Sequence, residues 1–562
     1  MTIYTSDVAL PELPRIDVFR YLFPQEAGDS PIPREARNPN HVSYICGMTG
    51  RQLKRGELEE SAKRLACGFK KRDIVRGDTA LLLGPNSLDW IIAAWGMQAA
   101  GVTVSPANVA YGPQELAHQF NDSGSKAILI APMLLPVLEK ARPLFKNGLK
   151  DEHIILLSGT GNFRSIYEIM DCPRRPEQFD GAEADATAWL CYSSGTTGLP
   201  KGVMSSHYNM TSQIQCVTPC YPDLRPGRDA ILGVLPFSHI FGLMALIHQP
   251  LTTGTPVVVF PRFDEIAVLE GIQKYKITYG IAVPPILLVL VHSQNTAKYD
   301  LTSLKTVQSG AAPLSAELAM AFETKFPHCR IAQGWGLTET SPTITYCKSE
   351  DAALPDKNGN NRKGSVGRLI PSYELRLVGD DGKDVPEGER GELWVAGPSV
   401  MKGYHNNPEA TAKTMEGKWF KTGDVGVRDD EGWYWIVDRV KELIKYKGFQ
   451  VPPAELEALL LTHPQLMDAG VVGVYDESQA TELPRAYVVA KPGVIKNEKD
   501  KVRLQKEVAE WVRERVAQHK RLRGGVVILD AIPKSPSGKI LRKDLRVQAQ
   551  KELEAEKSKA KL

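Results

Sequence analysis

Short continuous apolar runs alternate with longer helical stretches over the first part of the chain. Thr79-Ala-Leu-Leu-Leu and Val102-Thr-Val-Ser read as strands, and Leu88 to Met97 between them reads as a helix ended by Gly101. Further on, a helix is predicted from Pro113 to Gln119, a strand at Lys126-Ala-Ile-Leu-Ile-Ala, a helix across Leu134 to Leu144 and a strand at Ile154-Ile-Leu-Leu. Apolar strands alternating with helices predict parallel sheets covered on both faces. The most apolar stretch, Ile277 to Val291, is interrupted by Pro284 and Pro285. It is shorter than the ~20 residues a spanning helix needs, so it reads as one buried element and no membrane span is expected.

From Gly364 to Val437 the pattern changes to short alternating runs punctuated by Asp380-Asp381-Gly382, Pro386-Glu387-Gly388 and Asp430-Glu431-Gly432. Such spacing predicts antiparallel strands in a small β-barrel-like unit. After Asp438 come a βα unit at Pro453 to Leu461, strands at Ala469 to Val474 and Arg485 to Ala490, a charged helix over Lys501 to His519 and a strand at Val526-Val-Ile-Leu. The chain has 562 residues, beyond the ~250–300 that one core supports. The expected fold is α/β. A large N-terminal domain (1–437) holds stacked, mostly parallel sheets with helices and the barrel-like unit, and a small α+β C-terminal domain (438–562) follows.

Composition adds mainly exclusions. A net charge of +3 gives no general reason to expect nucleic acid or an acidic membrane surface as a partner. The eight cysteines form no Cys-x-x-Cys pair, and Cys216 and Cys220 lack a nearby second pair to complete a zinc site. They read as free thiols of a reducing compartment. The first residues have neither a basic start nor an apolar signal core.

The strongest local signal is Tyr192-Ser193-Ser194-Gly195-Thr196-Thr197-Gly198-Leu199-Pro200-Lys201-Gly202, placed after an apolar strand at Trp189-Leu-Cys and ahead of a predicted helix. Ser, Thr and Gly let amides and hydroxyls wrap an anion closely, and Lys201 adds charge. The segment is not a Walker A loop: Pro200 stands five residues after Gly195, and no Ser or Thr follows Lys201.

This segment resembles the signature of the adenylate-forming superfamily, which includes acyl-CoA synthetases, firefly luciferases and peptide-synthetase adenylation domains. Other matching motifs follow in order: Gln333-Gly334-Trp335-Gly336-Leu337-Thr338-Glu339-Thr340, Lys421-Thr422-Gly423-Asp424, a hinge-like Asp438 to Gln450, and Pro533-Lys534-Ser535-Pro536-Ser537-Gly538-Lys539. The resemblance spans almost the whole chain and is nearest to 4-coumarate–CoA ligase-like enzymes. It implies an acid–thiol ligase that uses ATP and Mg²⁺ to make an acyl-AMP and pyrophosphate, then passes the acyl group to coenzyme A.

The resemblance also assigns residues. Ser193, Ser194, Gly195, Thr196, Thr197 and Lys201 would hold phosphate. Gln333, Gly334 and Trp335 would border adenine, Thr338 would meet phosphate and Glu339 would hold the metal. Asp424 and Arg439 would take the ribose, and Lys539 would bridge the acid's carboxylate and the α-phosphate. His239, in Pro236-Phe237-Ser238-His239-Ile240-Phe241-Gly242, would border the carboxylate and the thiol channel. Lys441, Lys445, Lys447, Gly448 and Arg262 would serve coenzyme A, with the small domain turning about Lys441 between the two steps. Trp335 departs from the family's usual Tyr: it keeps the flat face and loses the hydroxyl.

The acid pocket is expected from Phe241, Met244, Ala245, Gly310 and Gly334. Phe241 stands where hydroxycinnamate ligases often carry Tyr, and it has no hydroxyl to meet a phenol. That favours a phenyl, cinnamyl-type or medium-length aliphatic acid. A luciferase-like oxygenase and an adenylation enzyme loading a carrier-protein thiol are the alternatives; the intact Lys201, Glu339, Asp424 and Lys539 argue against a non-catalytic relative. The sequence ends Ala560-Lys561-Leu562, close to the Ser-Lys-Leu signal read by the peroxisomal import receptor, so a peroxisomal address is expected.

Overall fold

In the computed structural model two parallel-rich sheets enclose an almost fully buried helix. The structure describes residues 1–562 except 10–11, 27, 160, 194–198, 353, 360, 448, 477–478, 480, 536–537 and 561–562, and the side chains at 349, 352 and 554–560. The first sheet runs Ile154–Leu156, Ala127–Ile130, Thr79–Leu83, Thr103–Ala107, Thr187–Ser193 and Lys201–Ser206. All neighbours are parallel except the last pair. The second has nine strands, in the order Arg368–Leu369, Thr343–Tyr346, Arg330–Gly336, Thr306–Ser309, Tyr279–Ala282, Ile231–Gly233, Val257–Val259, Val42–Cys46 and Gln52–Lys54. Its centre is parallel and its edges antiparallel.

Helix Leu88–Ala99 touches strands of both sheets and buries every residue except Asp89. That explains its nearly continuous apolar sequence: a helix hydrophobic all round belongs between two layers. Ser87 caps it, its side chain accepting from the Trp90 N–H at 3.0 Å.

The third sheet is antiparallel: Tyr4–Thr5, Glu374–Val378, Gly391–Ala396, Trp419–Arg428 and Met415–Glu416, with Tyr434–Arg439 also on Trp419–Arg428. The chain leaves this sheet only after Arg439, two residues beyond the expected boundary at Val437. The C-terminal part has its own core, including Ile444, Leu456, Leu460, Val471, Val488 and Val508. It contains hairpin Ile444–Tyr446/Phe449–Val451, sheet Leu466–Asp476/Thr481–Ala490/Val526–Ile528 and helices Pro453–Leu461, Glu498–Arg515 and Arg542–Ala560.

Three expectations change. The segment after the Ser/Thr/Gly loop is a strand, Lys201–Ser206, and the helix starts only at His207. Ladder pairing with Thr187–Ser193 wins over helix. The stretch Ile277 to Val291 is two elements, strand Tyr279–Ala282 and helix Pro284–His292. Prolines lack the N–H that a first helical turn leaves unused, so they open the helix instead of interrupting one. The helix across Leu134 to Leu144 is α only over Leu135–Ala141, with 3₁₀ turns at Pro132–Leu134 and Arg142–Leu144; Pro143 removes an interior donor. Among the described residues no helix is long and apolar enough to cross a membrane, and all eight cysteines are free.

Candidate active site

The ends of these sheets and the C-terminal part surround one cavity of about 1080 Å³. Most motif residues line it: Ser193, Lys201, His239, Phe241, Gly310, Gly334, Trp335, Thr338, Glu339, Arg439, Lys441 and Lys539. The strand register places Ser193 directly opposite Lys201, and both line the cavity. Ser194, Gly195, Thr196 and Thr197 lie outside the described residues. His118 Nε2 stands 3.0 Å from the Pro200 carbonyl and ties that part of the chain to the body.

Glu339 sits in a 3₁₀ turn, Thr338–Thr340, directly after strand Arg330–Gly336. Gly336 permits that turn, since a Cβ there would lie 1.8 Å from the Pro342 carbonyl oxygen. The Glu339 carboxylate is buried; its Oε1 accepts from Tyr404 Oη at 2.8 Å and Ser193 Oγ at 3.2 Å. Among the described residues no Lys or Arg pairs with it, and no cluster of three metal-binding side chains exists. One hard carboxylate oxygen set fits Mg²⁺, which takes one or two protein carboxylates and completes its shell with water and phosphate. No motif in the sequence points to Tyr404. Its ring also carries the Lys201 ammonium, 4.8 Å from the centroid, so it links the Glu339 carboxylate to Lys201.

Asp424 and Arg439 face each other as a cross-strand pair. Arg439 Nε lies 3.0 Å from Asp424 Oδ1, yet that buried oxygen has no aligned donor and keeps an open lone pair. The other oxygen accepts from Trp335 Nε1 at 2.8 Å. Trp335 therefore gives more than a flat face: its N–H fixes the carboxylate. An orphaned buried acceptor beside a guanidinium suits a ribose hydroxyl. Trp335→Phe keeps the face and drops the donor. It is expected to cost about 1–2 kcal/mol, roughly ten-fold in the KM for ATP, measured by initial rates.

His239 heads the helical run from Ile240, and its Nδ1 accepts from the Phe241 N–H at 3.2 Å. The neutral ring therefore carries its proton on Nε2. Burial, then the nearby Lys539 charge, lowers its pKa to about 4, which keeps it neutral at pH 7. Met244 and Ala245 lie further along this run; Met244 is buried in the main core, Ala245 packs against it, and neither is among the cavity's lining residues.

Lys539 arrives on a tight loop. The Lys539 N–H donates to Ser535 Oγ at 3.1 Å, the Ser535 N–H to the Lys539 carbonyl at 2.8 Å, and Lys534 pairs with Ile540. Lys534 Nζ holds Asp468 Oδ2 at 2.6 Å. Gly538 has φ +79°, and a Cβ there would stand 3.0 Å from Pro285 and Val283, so the loop needs glycine to seat against the large part. Burial, then Arg439, lowers the Lys539 pKa to about 8. Behind the loop, Arg542 bonds the Glu442 carboxylate and holds Glu457 Oε2 at 2.7 Å; all three are buried. Asp438, at the end of its strand, accepts from the Ala454 N–H at 2.9 Å. Arg542 thus joins the segment after Arg439, helix Pro453–Leu461 and the lysine loop, another role the sequence did not announce.

Among the described residues expected to meet coenzyme A, Lys441 alone lines this cavity. Lys445 and Lys447 are exposed on the hairpin beyond Glu442, and Arg262 is exposed after strand Val257–Val259. None of the three is among the cavity's lining residues. Gly448 lies outside the described residues. Gln333 is buried in its strand behind Gly334.

Stacked α/β sheets with a C-terminal lysine loop closing on the cavity at their ends are the architecture of adenylate-forming enzymes. The chain belongs to the AMP-binding enzyme family, whose model matches residues 33–405, with the AMP-binding enzyme C-terminal domain at 455–539. Within it the chain is 4-coumarate–CoA ligase-like. It is 39% identical over 512 residues to 4-coumarate–CoA ligase 1 of Petroselinum crispum, covering 90% of each chain. It is 36% identical over 545 residues to the peroxisomal OPC-8:0-CoA ligase 1 of Arabidopsis thaliana, covering 96% of this chain and 94% of that one. Among solved structures it resembles the anthranilate CoA ligase AuaEII in complex with anthranoyl-AMP, with TM-score 0.81, 25% identity and coverage of 96% and 98%. It also resembles an o-succinylbenzoate CoA synthetase of Bacillus subtilis in complex with ATP and magnesium ion, with TM-score 0.74, 28% identity and coverage of 90% and 96%.

Proposed function

We propose that this enzyme joins a small aryl, cinnamyl-type or medium-length aliphatic acid to coenzyme A through an acyl-AMP. The observation that carries this reading is Lys539, brought by the C-terminal loop into one cavity with His239, Glu339 and Arg439, the last paired with the buried Asp424. In the first step a carboxylate oxygen of the acid bonds to the α-phosphorus of ATP and the bond to pyrophosphate breaks. The Lys539 ammonium meets both the incoming carboxylate and the α-phosphate oxygens, offsetting charge where two anions converge. Asp424, fixed by Trp335, and Arg439 orient the ribose. Bound at Glu339, Mg²⁺ would neutralise phosphate charge. His239, neutral, borders the carboxylate without adding a competing cation. In the second step the thiol sulfur bonds to the acyl carbon, and AMP leaves with the electron pair.

On this reading residues 1–437 and 438–562 act as two domains, and the smaller turns about Lys441 to exchange Lys539 for the Lys445–Gly448 hairpin, with Arg262 meeting coenzyme A phosphates. The experiment is a panel of acids followed by pyrophosphate release with and without coenzyme A. Acid-dependent release that yields a CoA thioester supports the reading, and release independent of every acid overturns it. Because the Lys539 ammonium is lost above its lowered pKa, kcat/KM for pyrophosphate release is expected to fall as pH rises through about 8. A flat profile from pH 7 to about 9.5 would remove Lys539 from the step.

The Arabidopsis relative is named a peroxisomal enzyme, which supports a peroxisomal address through Ala560-Lys561-Leu562. Lys561 and Leu562 lie outside the described residues. An N-terminal fluorescent fusion should give punctate signal that is lost on removing these three residues; diffuse signal from both versions would refute the address.

A further inference from the structure

Strand Lys201–Ser206 is the outer strand of the first sheet, and its register partner Thr187–Ser193 reaches past the sheet to the cavity. The ladder between Thr187–Ser193 and Thr103–Ala107 pairs only Trp189 with Val104, and Ser105 Oγ adds one bond to the Leu190 carbonyl at 3.3 Å. Tyr192 and Ser193 therefore lie beyond what the sheet ladder holds on that side. Two strands paired mainly with each other are marginal in water. Yet these two end in Ser193 and Lys201, which face each other and line the cavity. Their positions need support from outside the ladder.

Helix Pro113–Asp122 supplies it. His118 and Asp122 are one turn apart, so they share a face of that helix. Asp122 Oδ2 accepts from Tyr192 Oη at 2.6 Å, a length typical of a hydroxyl on a charged carboxylate. Burial, then this bond, raises the Tyr192 pKa, so the phenol keeps the proton it donates. His118 Nε2 stands 3.0 Å from the Pro200 carbonyl. A carbonyl only accepts, so Nε2 carries a proton. The His118 and Tyr192 rings also meet edge to face, with centroids 6.3 Å apart. Gly202 leaves the phenol its room, since a Cβ there would lie 3.1 Å from the Tyr192 ring. One helix face thus grips the residue before Ser193 and the residue before Lys201. The segment that carries Tyr404 ties in at the same place: Asn406 Nδ2 donates to the Asp122 carbonyl at 3.0 Å, and the His405 N–H to the Gly202 carbonyl at 2.7 Å.

We infer that His118 and Asp122 are positioning residues for adenylate formation: acting through Pro200 and Tyr192, they hold Lys201 and Ser193 where these meet the pyrophosphate part of ATP. Neither His118 nor Asp122 is among the cavity's lining residues, so both act at one remove. The inference rests on the acid–CoA ligase reading and on the phosphate role of Ser193 and Lys201. It makes the two half-reactions differ. In the first step ATP presents its triphosphate to Lys201 and Ser193. In the second step the acyl-AMP has lost pyrophosphate and no longer draws on them. A helix that served stability alone would weaken both steps alike.

The test uses the full-length enzyme with an acid it accepts. Pyrophosphate release is measured against ATP concentration, and thioester formation from ready-made acyl-AMP and coenzyme A is measured on the same preparation. His118→Leu removes the donor to Pro200, and His118→Gln restores an N–H in its place. Asp122→Ala removes the acceptor for Tyr192. His118→Leu should lower kcat/KM for ATP by roughly ten-fold and Asp122→Ala by roughly ten- to a hundred-fold, mostly through KM. Thioester formation from acyl-AMP should stay within about two-fold of the wild type. His118→Gln should recover most of the loss. Since both rates come from one preparation, partial loss of folded enzyme does not affect their ratio. If Asp122→Ala is insoluble, Asp122→Asn is measured in the same way, with a smaller loss expected in the first step alone. An equal fall in both half-reactions, an unchanged kcat/KM for ATP, or no recovery with His118→Gln overturns the inference and leaves the ligase reading standing. If the wild type releases no pyrophosphate with any acid, the ligase reading fails and this inference falls with it.

Discussion

Lys539→Ala is expected to slow acyl-AMP formation by roughly 100- to 1000-fold, the loss typical of removing one preorganised charge from a reaction centre. The same variant, given ready-made acyl-AMP and coenzyme A, should still form thioester at a rate little changed. The split follows from position. The lysine lies near Asp424, Arg439 and His239, where two anions must meet, while Lys445, Lys447 and Arg262, assigned to coenzyme A, are exposed outside the cavity. Rapid-quench measurement of the two half-reactions checks it, and equal loss in both would refute the separation of roles.

The second large effect concerns stability. Arg542→Leu removes the cation that, among the described residues, pairs with both Glu442 and Glu457, both buried. Leaving buried carboxylates uncompensated costs roughly 3–5 kcal/mol, so the C-terminal part should unfold at markedly lower denaturant concentration. The loss should depend on pH. Burial already raises the Glu457 pKa to about 7 against the pull of Arg542. A carboxyl whose folded pKa is raised favours the folded state at low pH, and that contribution is lost as pH rises through the window between about 4.5 and 7. Without the arginine Glu457 protonates more readily, so the variant should lose less stability at pH 5 than at pH 8. An equal loss at both pH values would show that Arg542 acts by packing alone.

What the sequence disclosed and what it hid divide along physical lines. Residues whose chemistry is local to a motif were legible: Ser193, Lys201, Thr338, Glu339, Arg439 and Lys539 all line the cavity. Helix Leu88–Ala99 was legible because burial on all sides leaves a continuous apolar signature. Partners that meet across long stretches of chain were not. Trp335 was readable as a flat ring, but the acceptor of its N–H lies 89 residues away. Tyr404 meets Glu339 across 65 residues, and Arg542 meets Glu442 across 100. The misread segment after Lys201 shows pairing overriding local preference, since a strand opposite Thr187–Ser193 satisfies its backbone where a helix would leave the sheet edge open.

The central claim is activation of an acid as its adenylate before transfer to a thiol. Its most direct test is a single-turnover reaction with ATP labelled at the α-phosphorus, an accepted acid and no coenzyme A. The account predicts an enzyme-bound acyl-AMP and one pyrophosphate per active site, with the label passing to AMP and the acyl group to a thioester only when coenzyme A is added. Formation of ADP and phosphate, or thioester appearing without a prior labelled adenylate, would contradict it.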